Sequence, residues 1–302
     1  MTVAISPDER AREFDRHRPL LFSVAYRMLG SASDADDVLQ DAYLRWERHA
    51  AEPVESPKAY LVTIVSRLCI NQLKSARVRR ERYVGRWLPE PVPTDTPDAP
   101  AEVLAGESLS YAFMLVLERL NPVERAAFIL RDVFDYDYAQ IATIINRSEE
   151  NCRQLVHRAH LHVKQERKRF DASSSDHDQL LKRFVDAALH GEMDGLLRLL
   201  SRDVALYADG GGKAPAVPNI VFGADHVARL MLGALRKFVP EEIYVELRRI
   251  NGQPAAVAYA GDRPATALIV SVAANAIAEI YIMSNPEKLR RIARKDRSQS
   301  SF

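Results

Sequence analysis

Residues 136–160 read YDYAQIATIINRSEENCRQLVHRAH, and this stretch decides the fold of the central part of the chain. Two short helical patterns are separated here by about three or four residues, a spacing typical of a helix-turn-helix. Asn146 suits the turn, and Ser148 suits the N-cap of a second helix over Glu149–Arg158. The periodicity of the first helix turns four residues toward the core: Ala139, Ile141, Ala142 and Ile145. The sequence therefore predicts a compact two-helix motif over residues 137–158.

The outward side of the second helix is polar and basic, with Arg153, Gln154, His157 and Arg158. Such a helix typically lies in the major groove of DNA, where arginine and glutamine can bond base edges bidentately. Four residues that follow are placed to neutralise phosphates: Lys164, Arg167, Lys168 and Arg169. An ordinary helical hairpin with a solvated basic face has the same pattern, so this motif alone leaves both interpretations open.

The segment from Phe14 to Tyr83 is helical in its periodicity throughout. Gly30 is expected to end the first helix, because glycine adopts the left-handed conformation at helix ends. Ser33 followed by Asp36 is similar to a capping box, which would begin the second helix there. Residues 56–57, Ser-Pro, suit the cap and first turn of a third helix. These signals predict three helices before residue 84.

A second basic cluster follows the third helix and contains only Glu81 as an opposing acid: Lys74, Arg77, Arg79, Arg80, Arg82 and Arg86. Such a cluster binds the nucleic-acid backbone through counterion release. Four nearby residues have the chemistry to stack on, or bond to, bases exposed by strand opening: Tyr60, Arg67, Asn71 and Tyr83. Solubilising charge is the alternative interpretation of this cluster. Two separated basic helices in one chain would nevertheless allow contact with two DNA elements.

The proline-rich stretch 87–100, WLPEPVPTDTPDAP, has no periodicity and is expected to be an extended linker. After a polar hinge at 171–175 the pattern changes to two helices followed by β-branched and aromatic runs. Five strands are predicted, at Val204–Ala208, Ile243–Ile250, Ala255–Ala260, Thr266–Val272 and Ile277–Met283, with a helix at about Ala224–Phe238. The predicted fold is therefore multidomain: two all-α domains at 1–86 and 102–170, a linker at 87–101, and an α+β domain with a curved antiparallel sheet at 171–302.

The composition of the chain restricts the class of protein to which it can belong. The chain has 302 residues, 47% of them hydrophobic and 27% charged, a balance typical of globular domains, and the net charge of +1 conceals the local basic clusters. Apolar stretches are interrupted by charge well before membrane-spanning length, and Met1–Arg10 has no signal-peptide core. Cys69 and Cys152 are expected to be packing residues without a metal or a disulfide. We therefore expect a cytoplasmic protein with no membrane partner, metal or cofactor.

Three segments occur in the order found in a known family: GSASDADDVLQDAYLRW at 30–46, AYLVTIVSRLCINQLKSARVRRER at 59–82, and the stretch from LNPVERAAF to LVHRAH at 120–160. In that order they resemble regions two and four of the extracytoplasmic-function sigma factors of the sigma-70 family. The resemblance covers roughly residues 10–170, and three ordered motifs are far more specific than one. It implies that the partners are core RNA polymerase and promoter DNA.

The resemblance also implies roles for individual residues. The clamp helices of the polymerase would bind Asp34, Asp37, Gln40, Asp41 and Leu44, although a solvated acidic face is the simpler interpretation of this helix. The minus-10 element would be bound by Arg67, Asn71, Lys74, Arg77, Arg79, Arg80 and Arg82. The minus-35 element would be read by Arg153, Gln154, His157 and Arg158.

The C-terminal part resembles a SnoaL-like, nuclear-transport-factor-like cone, as found fused to one subgroup of these sigma factors. Three segments are similar to signatures of that subgroup, with Glu287 where the subgroup usually has aspartate: Trp87, Leu88 and Pro89 in WLPEP at 87–91; Asp209, Gly210, Gly211, Gly212 and Lys213 in DGGGK; and Asn285, Pro286, Glu287, Lys288 and Leu289 in NPEKL. The resemblance implies that this domain contacts the sigma domains and the linker in cis, and thereby sets activity.

Two alternative functions stay open at this level. The chain would be a ligand-sensing helix-turn-helix repressor or activator if it bound duplex DNA specifically without polymerase. It would be a fusion enzyme if Asp209 served as a general base, with Lys213 or His226 as the acid. Three consecutive glycines also suit a simple turn at a strand end, so we expect no catalysis. An unidentified small ligand is a further candidate partner.

Overall fold

The computed structural model describes residues 6–48, 54–80, 83–95, 110–167, 174–238 and 243–292. The chain forms two compact units: one of residues 1–81, 100–109 and 113–166, and one of residues 82–99, 110–112 and 167–302. Within the described ranges, no helix has the length and apolar character needed to cross a membrane. The boundaries predicted above, at 86, 101 and 170, divide the chain differently and stay a prediction.

The first unit begins with three helices, α1 (Pro7–Leu29), α2 (Ala32–Arg48) and α3 (Pro57–Arg80). Gly30 ends α1 as predicted, with a φ of 67° and its N–H bonded to the Tyr26 oxygen at 2.7 Å. The cap predicted at Ser33 is wrong: the Ser31 hydroxyl accepts the bond from the Asp34 N–H at 3.1 Å. The left-handed turn at Gly30 reverses the chain at once, so α2 begins one residue after Ser31.

The chain after the linker forms α4 (Tyr111–Leu117), α5 (Pro122–Phe128), a π-helical turn (Ile129–Val133), α6 (Tyr138–Ile145) and α7 (Glu149–Arg167), and it belongs to the first unit from Phe113 to Glu166. Asn146 lies between α6 and α7 with a φ of 54°, and the Ser148 hydroxyl accepts a bond from the Asn151 N–H at 3.2 Å. The predicted turn and cap are therefore present. The core face of α6 differs from the prediction, because Ala139 is exposed and Ile144 is buried beside Ile141 and Ile145. The Asp137 capping box begins the helix at Tyr138 and thereby sets which residues point inward.

The second unit contains α8 (Ser174–Leu189), α9 (Met193–Leu199), α10 (Ala224–Phe238) and a six-stranded sheet. The strands are β1 (Leu200–Asp209), β2 (Val221–Phe222), β3 (Ile243–Ile250), β4 (Gln253–Ala260), β5 (Arg263–Ala273) and β6 (Ala276–Met283), in the order β2-β1-β6-β5-β4-β3. All five predicted strands and the helix at Ala224 are present. The pairing is antiparallel except between β1 and β6, which run parallel, so the sheet is mixed.

The two faces of this sheet have different coverings because side chains alternate along a strand. Leu206 of β1 and Ile280 of β6 belong to the core formed with helices α8, α9 and α10. Tyr207 and Asp209 of β1 point to the opposite face. Tyr83 and Leu88 bond Asp209, whereas residues 92–95 bond the end of β3, and residues 83–95 are grouped with the second unit.

Candidate functional site

Helix α7 presents the face that was predicted to read DNA. Cys152, Leu155, Val156 and Ala159 are buried, and the residues between them are exposed: Arg153, Gln154, His157 and Arg158. This alternation follows from the helical period, which places residues three and four apart on one side. The apolar face holds α7 in the unit, and the polar face is open to a partner.

Two of the exposed arginines are engaged in ion pairs on the protein surface. The Arg153 guanidinium lies 2.9 Å from the Glu149 carboxylate, and the Arg158 guanidinium lies 3.2 Å from that of Glu124. Both arginine side chains are more than half exposed. The Arg153–Glu149 pair is exposed on both sides and contributes about 0–1 kcal/mol, so Arg153 can exchange its carboxylate for a stronger anionic partner, whereas the Glu124 side chain that Arg158 binds is only 8% exposed.

The predicted minus-10 residue Arg67 makes a contact that the sequence does not reveal. Its guanidinium donates to the main-chain oxygens of Ile144 and Thr143, each at 2.9 Å. These oxygens lie in the last turn of α6, where carbonyls have no partner within the helix and the helix dipole is negative. Asn71 and Lys74 are exposed on α3. For Arg77, Arg79 and Arg80 only the helical backbone is described, and Arg82 lies outside the described residues.

Arg125 makes the reciprocal contact from α5 to the end of α1. Its guanidinium donates to the Met28 oxygen at 2.7 Å and also bonds the Glu118 carboxylate. The side chain is 2% exposed, and burial lowers the pKa of the Arg125 guanidinium to about 9. Each half of the first unit thus supplies an arginine that caps a helix of the other half.

Helix α2 carries the residues that the resemblance assigned to polymerase binding. Asp37, Gln40 and Asp41 are exposed, Asp34 is partly buried, and Leu44 is 46% exposed. The opposite face of α2, including Trp46, is buried. The helix therefore offers an acidic surface with one large apolar side chain at its end, which suits a partner of basic and apolar character.

The second unit contains a buried carboxylate on which the linker converges. Asp209 is 1% exposed at the end of β1. Its oxygens accept bonds from the Tyr83 hydroxyl at 2.6 Å, the Leu88 N–H at 2.9 Å and the Gly211 N–H at 2.9 Å. The Lys288 ammonium lies 2.7 Å away. We call these residues the Asp209 cluster: Tyr83, Leu88, Asp209, Gly211, Asn285 and Lys288.

Lys288 connects the three predicted signature segments. Its ammonium donates to the Leu88 main-chain oxygen at 2.6 Å and lies 4.3 Å from the centre of the Trp87 ring. The Asn285 side-chain amide donates to the Tyr83 oxygen at 2.9 Å. The structure thus brings WLPEP, DGGGK and NPEKL residues together. Tyr83 was predicted to contact bases, and no signal near it in the sequence pointed to Asp209.

The glycines after Asp209 allow this close approach. Gly211 has a φ of 59°, and a Cβ atom there would lie 2.2 Å from the Asn285 amide nitrogen. A Cβ atom on Gly210 would lie 2.2 Å from the Ala214 oxygen. Gly212 is exposed, with a φ of 70°. A larger residue at position 211 would push Asn285 of NPEKL away from the strand end, and a larger residue at position 210 would displace the turn at Ala214.

The residues weighed for catalysis are engaged in other contacts. Lys213 pairs with Glu287 at 2.5 Å, where both side chains are half exposed, and this pairing lowers the pKa of the Glu287 carboxyl. Pro286 is exposed and Leu289 is buried. His226 is exposed and contacts the Phe222 main-chain oxygen at 3.2 Å. Asp209 is enclosed by the linker residues described above.

A second set of contacts, which the sequence did not predict, holds the end of the described linker. The Asp95 carboxylate accepts two bonds from the Arg248 guanidinium, at 2.8 and 2.9 Å, and the Arg248 side chain is 2% exposed. Val92 donates to the Asn251 side chain at 2.9 Å and accepts from the Asn251 N–H at 2.8 Å. The Thr94 N–H donates to the Arg249 oxygen at 2.8 Å. We call these contacts the Asp95 anchor.

The chain returns to the same unit at Tyr111. The Tyr111 N–H donates to the Gln253 side chain at 2.8 Å, and its ring lies 5.3 Å from that of Tyr281. The Tyr111 hydroxyl donates to the main-chain oxygen of Pro89. Residues 110–112 are grouped with the second unit for this reason.

Comparison with known proteins gives consistent matches along the chain. The model of Sigma-70 region 2 matches residues 14–79, and that of Sigma-70, region 4 matches residues 110–163. ECF RNA polymerase sigma factor SigJ of Mycobacterium tuberculosis (strain H37Rv) is 36% identical over 297 residues, which cover 94% of this chain and 95% of SigJ. Probable ECF RNA polymerase sigma factor SigI of the same species is 31% identical and covers 90% of this chain and 92% of SigI.

A solved structure shows the same similarity in three dimensions. The crystal structure of the Mycobacterium tuberculosis extracytoplasmic function sigma factor SigJ superposes with a TM-score of 0.75 at 34% identity. The match covers 92% of this chain and 97% of that chain. The predicted fold class, with two helical sigma domains followed by an α+β domain, is confirmed.

Proposed function

The chain belongs to the ECF RNA polymerase sigma factors, and we propose that it binds core RNA polymerase in the cytoplasm and directs it to promoters of its own specificity. The observation that carries this proposal is the exposed basic face of α7 on a helix-turn-helix. A second basic helix, α3, lies in the same chain and provides a contact for a second DNA element.

We infer that Arg153, Gln154, His157 and Arg158 read the minus-35 element. Their side chains are exposed along one face of α7, the geometry needed for base edges in the major groove. Arg67, Asn71, Lys74 and the basic residues that follow would bind the minus-10 element. Because Arg67 bonds the end of α6 in this structure, its use on DNA requires those two bonds to break.

Purified core polymerase and a promoter library test the function directly. Addition of this chain should produce start-site-specific transcripts that neither component gives alone. A chain that retards duplex DNA but gives no such transcripts on any promoter would instead be a helix-turn-helix repressor or activator, since a sigma factor needs core polymerase for tight promoter binding.

Polymerase binding is proposed to use Asp34, Asp37, Gln40, Asp41 and Leu44 of α2. Leu44→Glu should weaken the affinity for core polymerase by about tenfold or more, because burial of one leucine contributes about 1.5–3 kcal/mol. The melting temperature should stay unchanged, since Leu44 is already 46% exposed. Fluorescence anisotropy of a labelled chain titrated with core enzyme measures the affinity.

Leu161→Glu is the matched control for that prediction, because Leu161 is 52% exposed and lies on α7 of the same unit. It should leave the affinity for core polymerase unchanged. Equal weakening by both variants would show that a general loss of apolar surface, and not the α2 face, is responsible.

The C-terminal domain is proposed to regulate the sigma factor by binding its linker. The support is the Asp209 cluster, in which a buried carboxylate and a partly buried ammonium from this domain hold the main chain and two aromatic side chains of residues 83–88. Residues 83–88 cannot be bound to this cluster and act as a free tether at the same time. The proposed regulatory contacts are Trp87, Leu88, Pro89, Asp209, Gly210, Gly211, Gly212, Lys213, Asn285, Pro286, Glu287, Lys288 and Leu289.

A further inference from the structure

We propose that the C-terminal domain selects promoters by the length of the spacer between their two elements, because it shortens the tether that joins the two DNA-reading modules. The inference rests on the proposed sigma-factor function and adds a specificity that the α3 and α7 side chains alone do not provide. Three sets of contacts support it, at the beginning, in the middle and at the end of the linker.

The first set is the Asp209 cluster, which holds the linker where it leaves the region-two module. Tyr83 and Leu88 bond the Asp209 carboxylate, and Lys288 bonds the Leu88 oxygen. Leu88 is fully buried there, and Pro89 is buried beside it. The path of the chain from Tyr83 to Pro89 is therefore fixed on the surface of the C-terminal domain.

The second set is the Asp95 anchor. Its bidentate pair between Asp95 and the buried Arg248 is of the stronger kind, because both nitrogen–oxygen bonds are charge-assisted and parallel. Main-chain bonds of Val92 and Thr94 extend the end of β3 by a short antiparallel bridge at Pro93 and Ile250. Residues 92–95 are thereby held by contacts separate from the Asp209 cluster.

The third set decides the length of the tether. Tyr111, the first residue of α4, bonds the main-chain oxygen of Pro89 and the side chain of Gln253. The chain between Pro89 and Tyr111 is consequently a loop with its two ends in contact. This loop adds nothing to the distance that the linker can span.

The difference in reach is large. A free linker of about 28 residues between Tyr83 and Tyr111 extends to at most about 100 Å, at about 3.3–3.6 Å per residue. With the loop closed, only the path from Tyr83 to Pro89 separates the modules, and it extends to at most about 20–25 Å. The closed loop thus reduces the available span about fourfold.

The reach of the linker limits the spacer lengths over which the two modules can bind both promoter elements at once. Each added base pair moves the two elements apart by about 3.4 Å and rotates them by about a tenth of a turn. A tether that is too short lowers the effective concentration of the second module to near zero, whereas a long tether lowers it only gradually. The closed linker should therefore exclude promoters with long spacers that the open linker accepts.

The test opens the loop and leaves the Asp209 cluster in place. Tyr111→Phe removes the hydroxyl and keeps the ring beside Tyr281, Gln253→Ala removes the acceptor of the Tyr111 N–H, and Asp95→Ala removes the carboxylate that Arg248 binds through two nitrogens. The full chain carrying all three changes is compared with wild type in run-off transcription with core polymerase, on promoters that differ only in spacer length. Asp225→Ala is the control, because it removes an exposed carboxylate from α10 in the same unit.

The triple variant should raise transcription from spacers three to four base pairs longer than the optimum by about tenfold relative to the optimum. Hydrogen exchange at the Val92 and Thr94 amides should rise in the same variant, which shows that the segment is released. The control should keep the wild-type profile and the wild-type protection.

An unchanged spacer profile despite faster exchange would overturn the proposal, since a released linker would then have no effect on spacer choice. Unchanged exchange would overturn it as well, because these contacts would then not be what holds the loop. Absence of start-site-specific transcripts with the wild-type chain is a different result, and it would contradict the proposed function itself.

Discussion

Transcription from a cognate promoter should fall by about two orders of magnitude when Arg153 and Arg158 are both replaced by alanine. A good bidentate contact from an arginine to a base contributes about 1–3 kcal/mol of discrimination, and each 1.4 kcal/mol is a factor of ten. Both arginine side chains are more than half exposed, and the ion pair of Arg153 with the exposed Glu149 is weak. Run-off transcription with purified core polymerase measures the loss.

The control for this double variant is Arg229→Ala with Arg290→Ala, which removes the same charge from exposed positions of the second unit. It should retain nearly full transcription. A promoter library separates two ways in which the arginines could act, because base contacts relax specificity at defined positions and phosphate contacts weaken all sequences uniformly. Unchanged promoter choice by the Arg153 and Arg158 variant would remove the basis for assigning α7 to the minus-35 element.

Asp209→Asn should destabilise the second unit with its bound linker by about 3–5 kcal/mol, the usual cost of leaving one member of a buried ion pair without its partner. The substitution leaves the Lys288 ammonium beside a neutral amide and presents donors to the Tyr83, Leu88 and Lys288 groups that donate to Asp209 in the wild type. The combination Asp209→Asn with Lys288→Met should recover part of the loss, since no buried charge then remains unpaired. Urea unfolding, with hydrogen exchange at the Leu88 amide as the local probe, measures both variants.

Lys213→Ala removes an exposed ion pair from the same signature segments, for comparison with the loss of the buried Asp209 carboxylate. Its pair with Glu287 is half exposed on both sides, so its loss should cost less than about 1 kcal/mol. Transcription by the Asp209→Asn variant should differ from wild type, whereas Lys213→Ala should change it little. If the two substitutions had equal effects on unfolding, the buried position of Asp209 would not be what matters for linker binding.

Most features encoded by neighbouring residues could be predicted from the sequence, with the cap at Ser33 and the inward face of α6 as exceptions. Gly30, Ser56 and Ser148 each act on the backbone within three or four residues, and all three lie where a helix ends or begins. The β-strands of the C-terminal domain were predicted in the same way, from β-branched runs between turn residues. Such signals depend on local conformational preference, which a short window of sequence contains.

Features that depend on distant partners were not predicted, or were predicted wrongly. The parallel pairing of β1 with β6 joins residues about seventy positions apart, and hydrophobic alternation does not specify which strands become neighbours. Asp95 and Arg248 are separated by 153 positions, so neither residue marks the other. Tyr83 lies at the end of a basic cluster, a context that favours DNA contact, but the buried carboxylate of Asp209 binds its hydroxyl.

The bond between the Tyr111 hydroxyl and the Pro89 oxygen has a practical consequence for protein engineering. Residues inserted between 96 and 109 would enlarge a loop whose ends stay together, so the module-to-module distance would not change. A fluorescent protein or a protease site placed there should be tolerated for the same reason. Insertions of equal size between residues 83 and 88 would instead separate Tyr83 from Leu88, and Asp209 could no longer bind both.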